Sequence, residues 1–179
     1  MSIITFLIIW EQNKIPTKAT LWLVYPIKNS GKPRIQYNDA VEEALSFGWI
    51  DSIVKRVDEF SSAQRFSPRN PNSDYSQANK ERLKWLIRED KLHSSVIDAV
   101  EKALSKEFVF PSDILEVIKG NEKAWRNYQN FSPAYQRIRI AYINSARNRP
   151  YEFKKRLHNF VNKTERNKLI GFGGIQKYF

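Results

Sequence analysis

From Ser76 the hydrophobic period of this chain turns helical and stays so as far as Thr164. Before that point, one helix apart, the apolar residues come in short runs closed by turn formers, the signature of strands. That division confines the fold to an α+β class: a small N-terminal strand, helix and hairpin lobe over residues 1–75, then a mainly α-helical lobe over 76–179.

In the first lobe, "LWLVYPI" is apolar and β-branched, closes at Pro26, and reads as a buried strand; "KNSGKP" is turn chemistry. Asn38 is the expected cap of a helix whose first turn carries Asp39, Glu42 and Glu43, acids suited to the positive end of the helix dipole. Val41, Ala44 and Leu45 share a face of that helix, and Gly48 can end it in the left-handed region. "IVKRV" and Phe60 to Phe66 predict a hairpin turning near "DEFSS". "SPRNPNSDYS" is a loop by composition.

In the second lobe, Ser76 is expected to cap a helix bearing Leu83, Leu86 and Ile87. Ser94 or Ser95 starts another, with Val96, Val100, Ala103 and Leu104. Pro111-Ser112-Asp113 opens a short helix with Ile114, Leu115 and Ile118. Gly120-Asn121 punctuates it, and Trp125, Tyr128 and Phe131 are placed on the next. Ser132-Pro133 is a cap followed by proline at the first helical position, ahead of Tyr135, Ile138 and Tyr142. The last helix shows an unbroken stripe of Phe153, Leu157, Phe160, Val161 and Thr164. "GFGGIQKYF", within a Gly-rich tail over 171–179, lacks the lysine and hydroxyl of a phosphate loop and reads as a flexible or docking tail.

The chain has no cysteine, which excludes disulfides, thiolate catalysis and cysteine-ligated metal. His93 and His158 alone make a histidine-rich metal site unexpected; each is expected at a helix end or on a solvated face. No cofactor is implied. The apolar "IITFLIIW" is shorter than the ~20 residues that span a bilayer and lacks a basic leader, so it reads as a buried helix or strand and the chain as cytoplasmic. Net charge is +11, and its placement is uneven: Ala134 to Phe179 holds eleven Lys/Arg against Glu152 and Glu165, or +9. Such a field attracts an anionic partner, whether phosphorylated ligand, nucleic acid or acidic protein.

Three stretches carry a resemblance: "YNDAVEEALSFGWIDS", "QRFSPRNPNSDYSQANKERL" and "FSPAYQRIRIAYINSARNRPYEFKKRL". Together they resemble the YdeI/OmpD-associated family, also called bacteriocin-protection proteins, in order from about Trp10 to the C-terminus, with the bacteriocin-protection-type region at about 111–168. The resemblance implies a stress or antimicrobial-peptide protection role and no agreed enzymatic activity. Two positions depart from the family pattern. Ser46 stands where a cysteine often precedes Phe-Gly-Trp, which removes a thiol mechanism, and Tyr75 stands where a tryptophan is usual.

Two constellations are candidates for function. Asp51, Arg65, Arg69, Ser73, Ser76 and Asn79 supply the parts of a phosphate or carboxylate cradle, with guanidinium forks beside a helix start. The plainer reading is that Arg65 or Arg69 pairs with Asp51 and ties the loop to the Phe47-Gly48-Trp49-Ile50 corner, whose bulky side chains are expected in the core. The second constellation is a basic face of Arg137, Arg139, Arg147, Arg149, Lys154, Lys155 and Arg156, interleaved with Tyr135, Tyr142, Phe153 and Phe160, which are expected in the core. Basic residues alternating with aromatics also fit nucleic acid. With no catalytic constellation evident, the expectation is a protein that protects by binding rather than by catalysis, with a nucleic-acid module or a small-anion protein or enzyme at the Asp51 loop as alternatives.

Overall fold

The computed structural model describes residues 20–27, 30–171 and 176–178. The "IITFLIIW" run, the start of the "KNSGKP" turn and most of the Gly-rich tail lie outside them. The architecture is α+β. Its elements are β1 (Leu21–Pro26), α1 (Tyr37–Ser46), β2 (Trp49–Arg56), β3 (Ser61–Pro68), α2 (Gln77–Arg88), α3 (Ile97–Leu104), α4 (Ser112–Lys119), α5 (Glu122–Gln129), α6 (Pro133–Asn144) and α7 (Pro150–Glu165), with single 3-10 turns at Ser94–Val96 and Gln176–Tyr178. They fall into two compact units: the described residues up to 74 with 83–103, and residues 75–82 with the described residues from 104 onward.

In the first unit the strands form an antiparallel sheet of order β1-β3-β2. Leu21 pairs with Phe66, Leu23 with Gln64, and Asp51 with Phe66. Because side chains alternate across a strand, these residues share one face. Leu23, Tyr25 and Phe66 on that face are buried, while Trp22 and Val24 on the other are exposed. The hairpin is longer than its apolar run suggests, since β2 starts at Trp49 and takes in the Trp49-Ile50 half of the corner. Trp49 is buried there, whereas Phe47 and Ile50 are only half-buried.

Helix α1 starts at Tyr37, one residue before Asn38. Gln36 is the extended residue at its start, and Asn38 lies inside the helix. The expected buried face holds: Val41, Ala44 and Leu45 are all inaccessible. The helix ends at Gly48, with φ +75° and an N–H that donates to the Leu45 carbonyl at 3.1 Å.

In the second unit the caps follow the sequence signals. Ser76 Oγ accepts from Asn79 N–H, Asn121 Oδ1 from Ala124 N–H, and Ser132 Oγ from Tyr135 N–H. Phe131 falls one residue past the α5 boundary residue Asn130 instead of on the helix. The core joins Ile114, Ile118, Tyr128, Tyr135, Ile140, Ile143, Leu157 and Phe160, one stripe from each of α4 to α7. Asn127 donates to the carbonyls of Thr164 and Glu165, so α5 satisfies the C-terminal end of α7. Among the described residues no helix is long and apolar enough to cross a membrane.

Candidate functional site

Strand alternation decides the fate of Asp51. It shares a face with Gln64 and Phe66, whereas Arg65 belongs to the opposite face. Its Oδ2 accepts a 2.6 Å hydrogen bond from the Tyr37 hydroxyl and a 3.4 Å one from Gln64 Nε2. Arg65 turns the other way and donates from Nε to Ser52 Oγ at 2.8 Å. Asp51 therefore pairs with Tyr37 and Gln64 rather than with Arg65, one of its two expected partners. The acid clasps the first residue of α1 instead. Tyr25 lies on the same sheet face, and Arg34 sits 5.4 Å above its ring. Burial pushes the Tyr25 hydroxyl pKa up; the Asp51 charge adds to that and Arg34 opposes it.

The remaining members of the loop constellation serve local structure. Arg69 donates its backbone N–H to the Gly48 carbonyl at 3.0 Å, closing the corner. Ser73 donates to the Asn70 carbonyl, Ser76 caps α2, and buried Asn79 accepts from Arg82 at 2.8 Å. Asp51, Arg65, Arg69 and Ser73 lie in the first unit, Ser76 and Asn79 in the second.

The basic face is thinner than the sequence suggests. Arg137 makes a two-pronged contact with Glu81, Nε to Oε1 at 2.7 Å and a terminal nitrogen to Oε2 at 2.9 Å, and this pairing raises its pKa. Arg139 is not on the surface at all, with 2% exposure. It projects from the inward side of α6, donates to the Ile170 carbonyl and lies over the Tyr135 ring. Burial lowers its pKa, while nearby Tyr135 and Tyr142 oppose that shift. Arg147 is exposed but paired with Asp113 at 2.9 Å. Arg156 is half-buried, 3.9 Å above the centroid of Tyr142, and donates to the Tyr142 carbonyl at 2.8 Å. Arg149, Lys154 and Lys155 are the exposed remainder. Tyr142 is likewise not core. It is 42% exposed, on the rim of α6 beside Arg156.

These departures converge on a cleft of about 200 Å³ between α6, α7 and the segment at Ile170. Arg139, Tyr142 and Ile143 line it from α6, and Glu152, Lys155, Arg156, Asn159 and Phe160 from α7. The α7 residues fall at i, i+3, i+4, i+7 and i+8, the period of one helix face. Pattern reading that follows only apolar residues finds the neighbouring stripe of Phe153, Leu157 and Val161. A search for charge at helical spacing would have found this one. Ile170 closes the wall, held at both ends: its N–H donates to Tyr135 Oη at 2.8 Å and its carbonyl accepts from Arg139. Three cations line the cleft against the acid of Glu152, and Glu152 is 3.6 Å from Arg156 Nε. The arrangement can hold an anion against a partly apolar wall.

Among the described residues no group of three or more His, Asp or Glu could hold a metal ion. His93 caps the Ser94–Val96 turn, accepting from Ser95 N–H, and His158 is exposed on α7 beside Asn162.

Residues 7–99 match the family model described as a domain of unknown function, DUF8412, and residues 107–167 match the model described as "Bacteriocin-protection, YdeI or OmpD-Associated". No curated protein and no solved structure matches the chain. The whole α6–α7 wall of the cleft lies inside the second match. The first match covers just over half of the chain and the second follows it in order, so the protein belongs to the DUF8412 family and, through its helical region, to the bacteriocin-protection, YdeI/OmpD-associated family.

Proposed function

We propose that the protein protects by binding a small anionic ligand in the cleft between α6 and α7, without catalysing a reaction on it, and that it does so as a cytoplasmic stress protein. One observation carries this reading: a fully buried guanidinium, Arg139, lines the same cleft as Lys155 and Arg156. A buried charge is costly unless polar groups surround it. An anion entering from solvent would pass exposed Lys155 and meet half-buried Arg156 and buried Arg139, where attraction is stronger than at an open surface. The uneven charge of the C-terminal quarter would steer such a ligand toward this unit.

Thermal denaturation of the whole chain with acetate, benzoate, citrate and inorganic phosphate, each at matched ionic strength, tests the proposal. At least one anion should raise the melting temperature in a saturable way, by up to about 2.7 kcal/mol of added stability at a hundredfold excess over Kd. Lys155→Gln and Arg156→Gln should each diminish that rise. No anion-specific stabilisation in the unmodified chain would remove the reading.

A second reading, nucleic-acid binding, rests on Arg149, Lys154 and Lys155, which are exposed at and just before the start of α7. Three phosphate contacts would give a log–log salt slope of roughly −3. Measured binding with no salt dependence, or none at all, would dismiss it.

A further inference from the structure

The lining of the cleft also bears on the chemical class of its ligand, an inference that rests on the anion-binding reading. At about 200 Å³ the space falls below the roughly 300–1,000 Å³ of sites for drug-sized ligands, so a nucleotide does not fit. Its cations are arginines on two facing helices with a lysine beside them, and Glu152 offsets one of the three charges. That balance leaves two positive charges, which attract a monoanion or a dianion alike, so shape and the rest of the lining decide between them. Guanidinium presents a planar fork that matches a carboxylate oxygen for oxygen.

Apart from the amide of Asn159, the rest of the wall is flat or apolar. Phe160, Ile143 and Ile170 line it, and Arg156 already lies 3.9 Å above the Tyr142 ring, which makes a planar, polarisable surface. The geometry points to a small aromatic carboxylate as the ligand, its ring against Phe160 and the Tyr142–Arg156 stack and its carboxylate on Arg139 and Arg156. Ring contacts of this kind favour an aromatic body over an alicyclic one of the same size. Tyr142 and Arg156 are therefore the residues that select the ring, and Lys155 assists capture.

Isothermal titration of the whole chain with benzoate, cyclohexanecarboxylate and inorganic phosphate, at matched ionic strength, decides the matter. Benzoate should bind most tightly, with cyclohexanecarboxylate weaker by about fivefold and phosphate weaker still. Tyr142→Leu, at a partly exposed position, should weaken benzoate by about fivefold while its melting temperature stays near that of the parent chain; Arg156→Gln should weaken benzoate by tenfold or more. Phosphate binding without benzoate binding would overturn the aromatic-carboxylate class and leave the anion-binding reading standing. Equal binding of the two carboxylates would also overturn it, as would benzoate binding indifferent to both substitutions. Binding of none of the three would overturn this inference and the anion-binding reading together.

Discussion

Gly48 meets two demands that no other residue meets together. Its φ of +75° lies in the left-handed region, and a Cβ built on it would stand 2.9 Å from Val96 Cγ1. It also closes the corner between α1 and β2, accepting the Arg69 N–H at 3.0 Å. Gly48→Ala should therefore lose about 1–2 kcal/mol from backbone conformation alone, and more from the clash. For a chain of this length that lowers the melting temperature by roughly 2–8 °C. Val96→Ala placed on top of Gly48→Ala should recover the clash but not the backbone part, a coupling that a double-mutant cycle reads directly. An unchanged melting temperature in the single variant would refute the account. The helix stop at Gly48 is visible in the sequence because an apolar helical face ends there. Val96 is not, because nothing local ties residue 48 to residue 96. Asp51 taught a similar lesson. Its polar partnership was legible, but the partner was set by strand alternation, which places Tyr37 and Gln64 within reach and Arg65 on the far face.

Among the elements, the first half of α2 and α6 are joined by one polar ladder. Gln77 Nε2 donates to Glu81 Oε1 at 2.7 Å, and Arg137 grips both oxygens of that carboxylate. Glu81 is 4% exposed at its side chain and Arg137 23%. Removing one partner leaves the other charge buried, so Arg137→Ala should destabilise by about 3 kcal/mol. Glu81→Leu combined with Arg137→Leu should be closer to the parent chain than either truncation. Urea denaturation with unchanged m-values would show this as shifts in midpoint; a double variant worse than both singles would contradict it. The helices themselves were largely legible, since caps such as Ser132 and Asn121 and apolar periodicity are local signals. Their charged residues were not, because periodicity does not tell which arginine finds an acid from another element. Arg137 and Arg139 are only two positions apart. One reaches Glu81 and the other the Ile170 carbonyl, and neither remains on the open basic face. The cleft was hidden for the same reason, as its lining mixes charge with aromatics and so leaves no purely apolar stripe.

Across the whole molecule, positive charge and buried phenols set how the fold responds to pH. Each compact unit buries tyrosine: Tyr25 in the first, Tyr128 and Tyr135 in the second. Burial raises the pKa of all three, and Tyr128 is pushed up to about 12. An unfolded tyrosine ionises near 10, so the folded state resists losing the phenolic proton. That contribution is fully present below the unfolded pKa and is lost as pH rises through the folded one. Stability should therefore fall steadily between about pH 10 and about 12, with phenol ionisation and loss of structure advancing together. Lysines titrate in the same interval, so the discriminating comparison is Tyr128→Phe. With nothing left to ionise at that position, the variant should show a shallower alkaline decline in melting temperature at nearly the same stability near neutral pH. An identical alkaline slope in the two proteins would show that lysine discharge, not phenol burial, governs the alkaline limit.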